Sequence, residues 1–294
     1  VDASLKNTGY DNVSLNSLSS GDYSCINTLL QLVNERYNAQ MVSTSIPSLR
    51  VKTLSPEIAK ALATIKKGGF TIAPEAGSQR MRNAINKDVT DAELVRTVET
   101  IFQNGGQSVK MYFMCGLPGE TDEDLDGIVH LGVLAYQTAR RLHPRPGVTI
   151  NVSTFVPKVF TPYQWAPQID RDETHRRQRY LRDKVRPYRA ITLRTHYEYG
   201  TLLEGIFSRG DRRLAKLLEA AHRLGCRFDG WQEEIRPDLW EQAYLEAGID
   251  PAWYLRARDL DEVLPWDHIE ARVSKKFLKL EWQRHPAALY IPDC

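Results

Sequence analysis

The feature that most constrains the fold of this chain is a repeated unit, in which a short apolar run precedes a segment with helical spacing of its apolar residues. The apolar runs begin near residues 12, 41, 70, 109 and 148. Strands that alternate with helices in this way are parallel and are joined by right-handed crossovers. Because the units are similar in length, we expect an α/β fold whose strands form a barrel or half-barrel.

Local signals mark where the helices of these units begin. Ser55 stands before a proline, which is typical of an N-cap followed by a first helical residue. Thr90 with Glu93, and Thr121 with Asp124, have the spacing of a capping box. The sequence therefore predicts helices that begin just after residues 55, 90 and 121.

The loops that follow the strands are polar and rich in glycine and proline. In chain order they read SSGD, PSLR, PEAGS, CGLPGE and FVPK. Small molecules bind at the carboxyl ends of parallel strands in α/β folds. Gly116 in the CGLPGE loop has no Cβ, so its backbone can take a positive φ and a flat ligand can approach it closely. We therefore expect a small-molecule site on these loops, and a purely structural βα turn is the alternative.

The composition of the chain changes after Trp165. Residues 175–189 hold seven arginines and lysines, residues 214–224 have the pattern of an amphipathic helix, and tryptophans recur towards the end. We predict a partial barrel over residues 1–165 and a mainly helical C-terminal extension over residues 166–294. The tryptophans of the extension should pack against one another or against the barrel, since large exposed apolar surface is unfavourable.

Charge and cysteine content exclude several classes of protein. The formal net charge of +2 gives no strong indication of nucleic-acid binding. No apolar run approaches the length of a membrane span, and no signal peptide opens the chain.

The four cysteines (Cys25, Cys115, Cys226 and Cys294) form no CxxC group, so we expect a reducing, cytoplasmic location and no metal site built within the chain. The first residue is valine, which suggests a fragment or a processed chain.

Two segments together resemble a known family. PEAGSQRMRNAINKDVT and MYFMCGLPGETDEDL are similar to paired segments of the radical S-adenosylmethionine methylthiotransferases and their relatives. The SGD sequence after the first strand resembles the glycine-rich segment of that superfamily. YEYGTLLEGIFSRGDRRLAKLLEAAHRLGCRFDGW is similar to the helical region of a less characterised branch of large radical proteins. The resemblance covers nearly the whole chain and implies a partial (β/α) barrel of the radical S-adenosylmethionine type.

The same resemblance implies two cofactors. Members bind S-adenosylmethionine and a 4Fe-4S cluster, and the cluster is held by a CxxxCxxC motif after the first barrel strand. This chain lacks that motif and begins about where a second strand would, so we expect a fragment whose cluster ligands lie upstream and which is inactive alone. An absent upstream domain could bring cobalamin, and further cysteines could follow Cys294. Electrons would come from a donor such as flavodoxin or ferredoxin.

The implied reaction is reductive cleavage of S-adenosylmethionine to a 5'-deoxyadenosyl radical that abstracts hydrogen from a substrate. The substrate is not predicted, and RNA is one candidate. By resemblance the SGD segment would hold the methionine amino group, Glu75 the ribose or amino group, and Arg80 or Lys87 the carboxylate. Gly116 would admit the adenine, which residues of the last strand would flank. The residues expected to bind the cofactor are Ser20, Gly21, Asp22, Glu75, Ser78, Arg80, Lys87, Cys115, Gly116, Val152, Ser153 and Phe155.

Two other functions stay open on the sequence. In a non-radical barrel lyase or hydrolase, Glu75 and either Lys110 or Lys158 would do acid–base work on a phosphate or carbonyl substrate. In an RNA-binding module, the arginines of residues 175–189 would contact phosphates and the barrel would be a scaffold.

Overall fold

The computed structural model describes residues 1–17, 20–46, 50–65 and 69–287. The predicted strand end at Leu18 and the C-terminal Cys294 therefore lie outside the described residues. The strands are β1 Asn12–Ser14, β2 Ser43–Ser45, β3 Gly69–Glu75, β4 Ser108–Cys115, β5 Gly147–Thr154 and β6 Ile191–Thr195. The helices are α1 Asp2–Thr8, α2 Ile26–Tyr37, α3 Pro56–Leu62, α4 Gln79–Ala84, α5 Asp91–Gln103, α6 Asp122–Leu142, α7 Arg171–Val185, α8 Glu198–Ser208, α9 Leu214–Leu224, α10 Pro237–Ala247, α11 Pro251–Leu255 and α12 Lys275–Arg284.

The strands lie in two sheets within the described part of the chain. Strands β1 and β2 form a two-stranded parallel sheet, and the other sheet has the order β3-β4-β5-β6. Strands β3 and β4 are parallel, with Gly69 opposite Ser108 and Ile72 opposite Met111. Parallel strands separated by helices confirm the predicted α/β class.

The predicted helix starts are present. The Ser55 hydroxyl accepts a hydrogen bond from the Ile58 N–H, which caps α3. Thr90 and Glu93 form a capping box at the start of α5. These bonds satisfy backbone donors that a helix end leaves without an intrahelical partner. Helix α6 begins at Asp122, as expected from the end of the CGLPGE loop.

The larger sheet buries alternate residues along its strands. In β4 the side chains of Val109, Met111 and Phe113 are buried, whereas Lys110 and Tyr112 between them are exposed. The same alternation is present in β5, from Val148 to Thr154. Successive side chains of a strand point to opposite faces, so one face of β4 packs in the core.

The chain forms two compact units, and each is assembled from separate stretches. Unit 1 comprises residues 1–113, 122–151 and 183–194, and unit 2 comprises residues 114–121, 152–182 and 195 onward. Most of the residues after 166 are helical, as predicted, but β6 also lies there and pairs with β5. A boundary at residue 165 stays a prediction.

Unit 2 has its own apolar core. Helices α8, α9, α10 and α11 share one buried cluster, which includes Leu203, Leu217 and Trp240. The predicted packing of tryptophans is confirmed for Trp240 and for Trp266, which packs with Trp165, Leu264, Leu278 and Trp282. It is wrong for Trp231 and Trp253, whose surfaces are 65% and 48% exposed. No helix among the described residues is both long enough and apolar enough to span a bilayer.

Candidate functional site

The loop after β3 brings together two of the residues that the sequence singled out. Glu75, the last residue of β3, has a φ of 72°, in the left-handed region that a non-glycine residue seldom occupies. A register irregularity in the pairing of β3 with β4 lies between Ile72 and Glu75. Lys87 Nζ lies 3.3 Å from Glu75 Oε1, and both side chains remain partly exposed. A strained backbone that presents a carboxylate at a strand end is typical of functional sites.

Ser78 and Arg80 are held by one acidic residue of α6. The Ser78 hydroxyl accepts a hydrogen bond from the Met81 N–H and lies 2.5 Å from Asp124 Oδ1, to which it donates. Arg80 forms an ion pair with the other oxygen of Asp124, whose side chain is buried. These contacts tie the loop after β3 to α6.

Two glycines allow that loop to contact α6 closely. A Cβ on Gly77 would lie 2.2 Å from the carbonyl oxygen of Asp124, and a Cβ on Gly127 would lie 2.7 Å from the carbonyl carbon of Gly77. No side chain fits between these backbones. Gly127 lies inside α6, and a glycine inside a helix lowers its stability unless close packing requires it. This glycine could therefore have indicated the contact from the sequence alone.

Arg82 was missed by the sequence reasoning, which considered its neighbour Arg80. Its guanidinium is 1% exposed and donates to the carbonyl oxygens of Gly77 at 2.8 Å and Val89 at 2.7 Å. It also forms an ion pair with Asp91. Arg82 therefore fixes the ends of the segment that carries Ser78, Arg80 and Lys87.

The SGD segment lies after β1, in a single turn of 3-10 helix over Ser20–Asp22. Ser20 is buried and its hydroxyl donates to the Leu15 carbonyl at 3.2 Å. Asp22 lies 3.4 Å from Arg50 Nε at the surface. A role in holding an amino group stays a prediction for this segment, Gly21 included.

In unit 2 the CGLPGE loop begins with a buried thiol and a constrained glycine. Burial and the nearby Glu120 carboxylate raise the pKa of Cys115 to about 12, so the thiol is neutral at physiological pH. Gly116 has a φ of 88°, and a Cβ there would lie 2.7 Å from Ile169 Cδ1. Glycine is therefore required at position 116 by the backbone and by Ile169, before any ligand is considered.

A buried ion pair closes the same loop. The Glu120 carboxylate accepts the Gly116 N–H at 2.6 Å and Arg177 Nη1 at 2.6 Å. Arg177 Nε in turn donates to Glu173 at 2.6 Å. The side chain of Glu120 is 0% exposed and that of Arg177 is 11% exposed, so this pair lies in a medium of low polarity. Arg177 was read from the sequence only as part of a basic run.

A pocket of about 430 Å³ lies beside the carboxyl ends of β4 and β5 within unit 2. Met114 and Thr154 line it from the strand ends, and the predicted residues Ser153 and Phe155 contribute to its wall. The remaining lining residues are Val156, Lys158, Thr161, Tyr163, His196, Thr201 and Glu204. Val152 is buried in the sheet, where its carbonyl accepts the His196 N–H at 3.2 Å.

Aromatic residues close one side of this pocket. The rings of Phe155 and Tyr163 meet edge to face at 5.4 Å. The Tyr163 hydroxyl lies 2.8 Å from His285 Nδ1, and His285 Nε2 lies 2.8 Å from the Pro118 carbonyl. The carbonyl can only accept, so Nε2 carries a proton and donates to it, and in the neutral tautomer Nδ1 accepts from Tyr163. The last described turn is thereby bonded to the CGLPGE loop.

The described residues do not fit a 4Fe-4S cluster. They contain no group of three or more histidine, cysteine, aspartate or glutamate side chains that could hold a metal. Cys25 is exposed, whereas Cys115 and Cys226 are buried. Cluster ligation requires deprotonated thiolates close together, and the three described cysteines do not provide them.

Comparison with known proteins gives one family match and one curated relative. Residues 17–132 match the family described as Radical SAM superfamily. Uncharacterized protein MJ0966 of Methanocaldococcus jannaschii is 29% identical over 239 residues, which cover 81% of this chain and 50% of the relative. The chain thus spans about half the length of the curated relative that it matches.

Solved structures of Streptococcus suis SuiB are also similar. The SuiB structure has a TM-score of 0.48 at 13% identity and covers 69% of this chain and 43% of SuiB. SuiB bound to S-adenosylmethionine and SuiB bound to the precursor peptide SuiA each give a TM-score of 0.47 at 13% identity and cover 69% of this chain, with 44% and 42% of SuiB covered respectively.

The family match includes the SGD segment, the loop after β3 and the whole of the CGLPGE loop, which carried part of the resemblance in the sequence. The segment YEYGTLLEGIFSRGDRRLAKLLEAAHRLGCRFDGW, which carried another part, lies outside the matched residues. Over residues 17–132 this chain is therefore similar to the Radical SAM superfamily.

Proposed function

We propose that this chain is the S-adenosylmethionine-binding part of a radical enzyme whose substrate is unknown. The observation that carries the proposal is the pocket at the ends of β4 and β5, because two residues expected beside the adenine, Ser153 and Phe155, line it. Adenine has apolar faces and a polar edge. A wall of Met114, Phe155 and Val156 suits the faces, and the hydroxyls nearby suit the edge.

In unit 1, the loop after β3 keeps the role that the resemblance implies for it, which is contact with the ribose or methionine part of the cofactor. Glu75 would accept hydrogen bonds from ribose hydroxyls or from the amino group, and Lys87 and Arg80 would offer positive charge to the carboxylate. The left-handed backbone of Glu75 supports this role, since such strain persists where the surrounding structure demands it. Ser20, Gly21 and Asp22 remain our candidates for the amino group.

The cofactor pair supplies chemistry that the side chains cannot. Bound together, the cluster and S-adenosylmethionine supply a 5'-deoxyadenosyl radical that abstracts hydrogen from a substrate. We propose that the cluster ligands come from outside the described residues. The chain's own residues position the nucleoside and, through Phe155 and Tyr163, exclude water from it. A cobalamin-bearing domain, an electron donor and a cytoplasmic location stay predictions.

The alternatives gain no specific support. Lys158 pairs with Glu204 at 2.5 Å, and Glu75 pairs with Lys87, so both residues proposed for acid–base work are engaged with opposite charges. In the arginine-rich segment, Arg177 is buried against Glu120 rather than available to phosphates.

Calorimetric titration of the full-length protein with S-adenosylmethionine tests the proposal. Glu75→Ala and Phe155→Ala should each weaken binding, Glu75→Ala by about 1.5–3 kcal/mol because a charge-assisted hydrogen bond is lost. Glu57→Ala is the matched control, since Glu57 is an exposed glutamate on α3. Unchanged affinity in both site variants, or no binding by the wild type, would contradict the proposal. Formation of 5'-deoxyadenosine with dithionite then tests the radical step.

A further inference from the structure

Unit 2 contains a fully buried arginine, Arg209, whose surroundings differ from those of Arg82. Arg209 follows α8 and is 0% exposed. Its Nη2 donates to two carbonyl oxygens, that of Gln164 at 3.4 Å and that of Arg256 at 3.2 Å. Its Nε and Nη1 atoms are buried and reach no acceptor among the described residues. A buried guanidinium that lacks acceptors is costly to desolvate.

Arg82 shows how this chain provides hydrogen-bond acceptors for a buried guanidinium. That side chain, equally buried, donates through all three of its nitrogens to carbonyl oxygens, to an amide oxygen and to the carboxylate of Asp91. Arg209 forms no ion pair with a carboxylate in the described part of the chain. The difference is one of missing negative charge and not only of missing hydrogen bonds.

A second arginine adds positive charge beside Arg209. Arg258 is 8% exposed, its Nη2 donates to the Arg209 carbonyl at 2.8 Å, and its Nε also reaches no acceptor in the described structure. The nearby carboxylate of Glu262 is engaged through both oxygens by Arg256, at 2.8 and 2.9 Å. Burial and the two neighbouring guanidinium groups lower the pKa of Arg209 to about 10, so the residue still carries its charge at physiological pH.

The carboxylates that act on Arg209 and Arg258, those of Glu262 and Asp211, are each paired with another arginine, Arg256 and Arg213 respectively. The carbonyl of Trp165 accepts the Arg258 backbone N–H at 3.0 Å, and the Trp165 indole N–H is itself buried without an acceptor among the described residues. From these orphaned donors and uncompensated charges we infer that a small inorganic anion, of the size and charge of chloride, binds inside unit 2 against Arg209 and Arg258. An anion accepts several N–H bonds at once and offsets the charge that Glu262 leaves uncompensated, whereas a water molecule offers no charge.

Thermal unfolding of the full-length protein in chloride and in gluconate, at equal ionic strength, tests this inference. The Tm should rise with chloride by about 2–3 °C for each tenfold increase above the dissociation constant, and should not rise with gluconate. Arg209→Met should abolish the chloride-specific rise. Arg82→Met is the matched control, because it also removes a buried guanidinium but should lower the Tm equally in both salts and leave the rise intact.

A second measurement uses only the wild-type protein, so its result does not depend on whether a variant folds. Crystals of the wild-type protein grown with bromide should show an anomalous peak within hydrogen-bond distance of Arg209 Nη1 or Nε. Absence of a peak at that place, or equal Tm values in chloride and gluconate, would overturn the inference and assign the donors to ordered water. Neither result depends on S-adenosylmethionine binding, so this test is independent of the proposed function.

Discussion

At the scale of single residues, the pair of Glu120 and Arg177 is the contact whose loss should be most damaging. Removing one partner leaves the other charge buried and unpaired, which costs about 3–5 kcal/mol. Arg177→Met should therefore lower the free energy of unfolding by roughly that amount in chemical denaturation. Arg176→Met is the control, since the neighbouring Arg176 side chain is 45% exposed and its pair with Glu173 should contribute about 0–1 kcal/mol. Similar losses in the two variants would show that the buried pair has no special role.

Glu173 gives this part of unit 2 a dependence on pH. Hydrogen bonds from Arg176, together with those from Arg177, lower the pKa of Glu173 from 4.5 to about 2. A group whose pKa is depressed in the folded state adds stability above its unfolded pKa and loses it as pH falls. The stability difference between wild type and Glu173→Gln should therefore be constant above about pH 5.5 and shrink between about pH 4.5 and pH 2.5. Denaturation curves measured at several pH values check this, and a difference that persists unchanged at pH 3 would contradict it.

The residues also show what the sequence could predict. Capping residues act within one turn of chain, so Ser55, Thr90 and Glu93 were assigned correctly. Partners that are distant in the chain could not be assigned in this way. The contact of Arg177 with Glu120 spans 57 residues, and no local pattern distinguishes Arg177 from the exposed arginines beside it.

At the scale of elements, the crossing of the loop after β3 with α6 depends on two glycines. A methyl group on Gly77 would lie 2.2 Å from a backbone atom of Asp124 and 2.3 Å from a backbone atom of Ile128. Unlike a side chain, these backbone atoms cannot make room by changing rotamer. Gly77→Ala should therefore destabilise the protein by about 1–3 kcal/mol and reduce S-adenosylmethionine binding by moving Ser78. Gly230→Ala is the control, since no atom lies within 4 Å of a Cβ there. Equal Tm values for the two variants would show that the loop can shift freely.

The strands and helices themselves were largely predictable, because their apolar periodicity is strong. β3 was expected from residue 70 and begins at Gly69, and the helix expected to end near Leu142 ends there. β6 was not foreseen, because the short run ITLRT follows a long charged helix and lies in a region whose composition is helical. A strand is specified partly by the edge that it pairs with, here β5, and that edge is not visible in the local sequence.

At the scale of the whole molecule, the position of β6 makes a cut at residue 165 testable. A fragment of residues 1–165 lacks β6 and leaves the edge of β5 without its partner strand. Unpaired edges promote association between chains. The fragment should therefore aggregate or unfold without cooperativity in light scattering and thermal melts, whereas the whole chain should not. A monomeric fragment with a cooperative transition would instead support a domain boundary at residue 165.

The discontinuous makeup of the two units has a consequence for biosynthesis. Unit 1 draws its last stretch from residues 183–194, and two stretches of unit 2 are made before that point. A nascent chain emerges from the ribosome in sequence order, so unit 1 can be completed only after two stretches of unit 2 have already been made. The first unit reaches its full set of contacts only after residue 194 has been translated. Until then the growing chain exposes apolar residues from the incomplete cores of both units. We expect it to be most prone to aggregation, and to depend most on chaperones, during this interval.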